Sequence, residues 1–160
     1  MRKIDQLLNE YGESHQNSTN KMIHWICVPL IFFSVVALIW SIPEGPLENL
    51  FGGVDRPYLN WATLVLILVL VYYVTLSIPL AIGMLLFSTL CLFIAKNLDQ
   101  MNFAPLWLIA VVIFVLAWIG QFYGHKVEGK KPSFLKDLQF LLIGPAWLMH
   151  FVLKKIGISY

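Results

Sequence analysis

Charge is what this chain has least of. Only 12% of its 160 residues are Asp, Glu, Lys or Arg, against about 25% in a soluble domain. Hydrophobic residues make up 59% and mean hydropathy is +0.75. Too few polar side chains are available to cover a water-facing globule, so an integral membrane protein is expected. The net charge of +2 is small and no basic stripe with interleaved aromatics is present, which excludes a nucleic-acid partner. The two cysteines, Cys27 and Cys91, both sit inside apolar runs and read as buried small hydrophobes. The first two dozen residues contain no apolar segment, so no cleavable signal peptide is expected. Neither an HExxH motif nor a serine-nucleophile motif supports a zinc hydrolase. The length suits one domain, 1–160.

The long uncharged runs are what the chain does have. Residues 25–42 carry no formal charge and as a helix would span about 27 Å, close to a hydrocarbon core of about 30 Å. Trp25 and Trp40 stand near the ends of this run, as interfacial tryptophans do. Residues 61–95 are uncharged throughout, too long for one crossing and suited to two, with a hairpin at Ser77, Ile78 and Pro79. The spacing predicts helices over 61–78 and 80–95, and a fourth over 106–123. Ahead of them, Ile4, Leu7, Leu8 and Tyr11 form an i, i+3, i+4, i+7 stripe, an amphipathic helix that Gly12 ends. Behind them, 138–153 is apolar but interrupted by Gly144 and Pro145, and reads as an interfacial or half-inserted helix pair. The expected fold is all-α: four transmembrane helices, an N-terminal amphipathic helix and a C-terminal interfacial pair.

Lysine and arginine orient this arrangement. Arg2, Lys3 and Lys21 precede the first crossing, and Lys126, Lys130, Lys131, Lys136, Lys154 and Lys155 follow the fourth. The connectors between crossings hold only Arg56 and Lys96. With four crossings, both cation-rich ends face the cytosol. All four histidines, His15, His24, His125 and His150, then share one membrane boundary.

On one unbroken helix His15 and His24, nine residues apart, would point to opposite faces, so two ligands to one metal require a break between them. Asn17, Ser18, Thr19 and Asn20 are cap and turn residues that provide it. A helix starting near Ser18 places Asn20 one turn before His24, where it can orient the imidazole. Gln121, His125 and Glu128 fall at i, i+4, i+7, one face if the fourth helix extends past Gly124. Glu128 then suits a ligand, an orienting group or a general base. Lys130, Lys131 and Lys136 are placed to attract a carboxylate. An imidazole-rich site of this kind takes Fe(II), Zn or Cu. Two alternatives stand beside it: a non-enzymatic membrane module, and a haem electron carrier.

The run Ser14-His15-x-Asn17-x-x-Asn20-x-x-x-His24 with Val28-Pro29-Leu30, and later Gln121-Phe122-x-Gly124-His125 with Glu128 and Lys131-Pro132, resembles the 2-hydroxy fatty acid dioxygenase family. Residues 145–157 look like its C-terminal membrane-associated run. The resemblance implies an Fe(II)-dependent dioxygenase that uses O2 to shorten 2-hydroxy fatty acids by one carbon. It further implies His15, His24 and His125 as the functional histidines; His150, at the same predicted boundary, is expected as a fourth ligand from the residues themselves and not from the resemblance. Expected partners are a fatty-acid-like lipid and the bilayer, and the metal site is expected at the cytosolic boundary.

Overall fold

The computed structural model describes residues 2–45, 47, 58–129 and 134–159, with 134–139 described by their backbone alone. It is all-helical: α1 (Lys3–Gly12), α2 (Ser18–Trp40), α3 (Trp61–Leu76), α4 (Ile78–Gln100), α5 (Leu106–Glu128) and α6 (Phe134–Lys155). Three of these, α2, α4 and α5, are long and apolar enough to cross a membrane; α3 is equally apolar but has 16 residues. Large apolar side chains such as Leu68, Leu86 and Leu116 are more than half exposed on the outside of the bundle. Water would not tolerate so wide an apolar surface, and lipid would.

Local chemistry sets the element ends. Asn17 caps α2, its side chain accepting from the amides of Thr19 and Asn20. Asn60 caps α3 by accepting from Thr63 N. Ser77 is extended and caps α4 through its hydroxyl at Leu80 N, with Pro79 in the first turn where its missing N–H costs nothing. The expected hairpin therefore sits where the sequence placed it, on the single residue Ser77.

Helix directions follow from side-chain pairs. His24 near the start of α2 lies beside His125 near the end of α5, so these two helices run antiparallel. Trp40, the last residue of α2, donates from Nε1 to Asp99 near the end of α4, so α2 and α4 run parallel. α3 starts at that same far end, where Trp61 Nε1 donates to the Pro43 carbonyl. α2 is the central helix, packed against α3, α4, α5 and α6. The core contains Tyr73, Leu80, Met84 and Ile143, all essentially fully buried.

Three expected boundaries need correction. α4 does not end at residue 95 but continues to Gln100, because its charged last turns find partners: Lys96 lies over the Tyr58 ring and Asp99 accepts from Trp40. α5 does not end at 123 but runs through Gly124 to Glu128, and Gly129 in the left-handed region (φ 72°) stops it. The C-terminal segment is one continuous helix and not a pair. Pro145 removes the amide that would reach the Leu141 carbonyl, and at the next carbonyl, that of Leu142, the Tyr73 hydroxyl donates at 2.6 Å, a tertiary partner beside the interruption. α6 packs on α1, α2 and α4. Most of the connector 43–60 lies outside the described residues.

Candidate metal centre

The lead-in to α2 folds back on α1. After Gly12 the chain turns, and the His15 amide donates to the Gly12 carbonyl. The His15 ring stacks on Tyr11, centroids 4.2 Å apart and nearly parallel. Its Nδ1 is 2.6 Å from the Tyr11 carbonyl. A carbonyl can only accept, so Nδ1 carries the hydrogen and Nε2 keeps its lone pair. One helical turn into α2 the arrangement repeats: His24 Nδ1 lies 2.9 Å from the Asn20 carbonyl, which leaves the lone pair on Nε2. Burial pushes the pKa of His15 down to about 4, against the opposing pull of the Tyr11 carbonyl, so it stands neutral and ligand-competent at neutral pH.

α5 brings the third imidazole. Its seam with α2 is close because two glycines lie there. A Cβ on Gly120 would stand 2.7 Å from Cys27 Sγ, and one on Gly124 would collide with Asn20 Oδ1. Gly120 and Gly124 form a Gly-x-x-x-Gly pair, the spacing that lets membrane helices approach closely. This approach sets His125 against both other rings, 5.3 Å from His15 and 4.8 Å from His24 between centroids, with His15 and His24 at 4.2 Å. One nitrogen from each histidine lies within 4.8 Å of the others.

All three rings are buried, and His15 Nε2, His24 Nε2 and His125 Nδ1 have no hydrogen-bond partner. A buried polar atom left without a partner costs about 1–3 kcal/mol. Three of them, two with lone pairs fixed outward from carbonyl-anchored rings, are what a metal ion with nitrogen bonds of about 2.0–2.1 Å satisfies. The donor set therefore fits a divalent transition metal, and by itself does not select the element.

Of the three roles expected for Glu128, its contacts are those of an orienting group. Its carboxylate accepts from Gln16 N (2.8 Å), Asn17 N (2.9 Å) and Asn20 Nδ2 (3.0 Å). It thereby ties the end of α5 to the lead-in and to the first turn of α2. Asn20 links the same parts, its Nδ2 also donating to the Ser14 carbonyl. Asn17 is the α2 cap, and Gln121 is buried and faces the cavity beside the histidines. The structure does not bring His150 into the group. It is half-buried on α6 with its ring 5.1 Å from Phe151, and it lines a polar hollow of about 440 Å³ with Asp5, Lys21 and Lys154. Among the described residues the metal-competent group is His15, His24 and His125. Lys131 lies outside the described residues.

The cavity at the three histidines is small, about 60 Å³, and its other walls include Val28, Ile31, Trp118 and Leu141. Sequence reasoning missed two contributors. Tyr11 counted only as part of an apolar stripe, yet its ring and carbonyl both hold His15. The Gly-x-x-x-Gly pair was legible as a motif and would have forecast the α2–α5 seam.

Comparison with known proteins gives one family and one curated relative. A family model described as "2-hydroxy-palmitic acid dioxygenase Mpo1-like" matches residues 1–156. The 2-hydroxy-palmitic acid dioxygenase MPO1 of Saccharomyces cerevisiae is 28% identical over 154 residues, covering 94% of this chain and 79% of the yeast protein. No solved structure matches the chain.

Proposed function

The chain belongs to the Mpo1-like family, and from that premise we propose that it is a membrane-embedded, Fe(II)-dependent dioxygenase that shortens 2-hydroxy fatty acids by one carbon with O2. The observation that carries this reading is three buried imidazoles with one nitrogen of each within 4.8 Å of the others, each ring having a nitrogen left without a partner. The yeast relative is named for a 2-hydroxy fatty acid, which supports the substrate class.

His15, His24 and His125 hold the metal, and the Tyr11 and Asn20 carbonyls fix which nitrogen of His15 and His24 faces it. Bound iron supplies the activation of O2 that a dioxygenase needs. Those three side chains would hold the ion, and the cavity beside them would receive the polar end of the substrate, its hydroxyl and carboxylate. Gln121 on the cavity wall donates its amide to that carboxylate, while Val28, Ile31 and Leu141 keep bulk water away. Glu128 is a positioning residue: through Asn17 and Asn20 it holds the lead-in over the cavity. A haem would need far more room than about 60 Å³, and a non-enzymatic role gives no reason for three buried imidazoles to converge.

Helix directions support four crossings. α2 and α4 run parallel while α5 runs antiparallel to α2. With α2, α4 and α5 each crossing, α3 must also return across the bilayer, and a 16-residue helix of about 24 Å reaches with modest thinning. Arg2, Lys3, Lys21, Lys126, Lys154 and Lys155 then gather at the histidine end, and by the positive-inside tendency this supports a cytosolic side for both termini and the metal site.

The test is metal and product analysis of the purified protein supplied with Fe(II), O2 and a 2-hydroxy fatty acid. Bound iron and an acid one carbon shorter are expected. Wild-type turnover retained in His15→Ala and His125→Ala would refute the proposal.

A further inference from the structure

One face of α2 continues beyond the metal cavity. Val28, Ile31, Phe32, Val35, Val36 and Ile39 are spaced i, i+3, i+4, i+7, i+8, i+11, a single apolar stripe. Its first two members line the histidine cavity. The others line a second hollow of about 280 Å³ between α2 and α3, walled across from them by Val65 and Val69. Leu141 of α6 lines both spaces, so the metal cavity and the apolar hollow meet at one side chain.

We infer that this α2–α3 groove holds the hydrocarbon tail of the substrate and measures its length. The inference rests on the proposed reaction at the histidines and adds the tail-binding site to it. Two facts set the occupant. The cavity of about 60 Å³ is far below the roughly 300–1,000 Å³ that encloses a small molecule, so only the reacting end of an amphiphile fits there. The groove is walled by apolar side chains alone, so it offers a tail nothing to hydrogen-bond and every reason to stay. From Val28 to Ile39 is eleven residues, about 16 Å of helix. With C–C bonds of about 1.5 Å, an extended chain advances about 1.25 Å per carbon, so the stripe accommodates about 13 carbons beyond the two at the metal. That is the scale of a long-chain fatty acid.

The experiment has two arms. In the first, turnover is measured on a ladder of 2-hydroxy fatty acids of increasing length in nanodiscs. Val69→Trp, nearer the histidines, and Ile39→Trp, at the far end, fill the groove at different depths. Each is expected to lower turnover of chains that reach the block by about tenfold or more, with a shorter cut-off for Val69→Trp and shorter acids unaffected. Leu68→Trp, on the lipid-facing side of α3, should leave the ladder as in wild type. A length profile unchanged in both groove variants, with wild-type turnover intact, would overturn the inference and leave the reaction standing.

The second arm needs no turnover and no variant. A 2-hydroxy fatty acid with a photoreactive diazirine at its methyl end is cross-linked to the wild-type protein. Label is expected on Ile39 and Val65. Label spread over Leu68 and Leu86, matching that from a diazirine phospholipid, would mean the groove takes bilayer lipid and would equally overturn the inference. Groove labelling in a protein without turnover would instead refute the reaction and keep the tail site.

Discussion

The two ends of the bundle handle polar groups in opposite ways. At the end where α2 and α4 finish, most polar side chains do structural work on partners at hand: Trp40 donates to Asp99, Trp61 to the Pro43 carbonyl, and Lys96 sits over Tyr58. Asn60 caps α3 through Oδ1, with its buried Nδ2 the one amide left unpartnered among these. At the end where α2 starts, His15, Asn20, His24, Gln121 and His125 are buried together, three imidazole nitrogens have no partner, and one nitrogen of each ring lies within 4.8 Å of the others. A fold that needed only stability would fill such a place with apolar side chains, since unpartnered polar groups cost more than the packing they replace. The contrast points to where to look for function: the far end ties helices to one another, and the near end gathers three histidines that could hold a metal ion.

The sharpest way to break this contrast is to remove one member of the set. His24→Ala should abolish metal binding and lower turnover by at least about 100-fold, read by metal analysis and product yield. Asp99→Asn at the far end should leave both within a factor of about two, since Asn keeps an oxygen that can accept from Trp40 and lies away from the histidines. His150→Ala, outside the group, should also keep its metal. Loss of metal in His150→Ala would enlarge the ligand set beyond the three.

Next in size is the seam. Gly124→Ala drives a methyl into Asn20 Oδ1, and overpacking of this kind costs about 1–3 kcal/mol. It should lower the thermal midpoint and the metal content together. Gly45→Ala at the other end, where a Cβ meets nothing within 4 Å, should change neither.

A smaller effect is expected at Glu128. Glu128→Gln keeps one acceptor oxygen but weakens the tie to the Gln16 and Asn17 amides and to Asn20. Metal affinity should fall by about 10–100-fold, while saturating iron restores turnover. Were Glu128 the catalytic base, turnover would stay low at any iron concentration.

These sites differ in how far the sequence revealed them. The convergence of His15, His24 and His125 was legible because charge bias and helix count put all three at one boundary, and because Asn17 announced a helix start between the first two. The hairpin at Ser77 was legible from Pro79. The end of α4 was hidden: Lys96 and Asp99 look like loop residues until Tyr58 and Trp40 are placed beside them in space. The unity of α6 was hidden for the same kind of reason, since the Tyr73 hydroxyl that supports the Pro145 region comes from 69 residues earlier in the chain. Glu128 showed its charge in the sequence but not its three donors. Local pattern revealed elements and candidate ligands, and long-range partners decided boundaries and roles.

The mildest prediction concerns pH in the metal-free protein. Folded His15 stays neutral down to about pH 4, whereas the unfolded chain takes up that proton near the ordinary histidine value of about 6.5. The unfolded state therefore binds more protons in this window, so stability holds above it and falls as pH drops through it. Thermal melts of the metal-free protein between pH 7 and pH 4 should show the decline, and His15→Phe should make it shallower by the share of one histidine. At the far end, Asp99→Asn should leave the slope unchanged.

The most direct measurement is metal stoichiometry after purification in Fe(II), compared between wild type and His24→Ala in the same nanodiscs, with anomalous scattering to locate the ion. About one iron per chain, between His15, His24 and His125, and none in the variant, is the expected result. Equal metal in both proteins, or an ion placed elsewhere, would contradict the assignment of the near end as a metal centre.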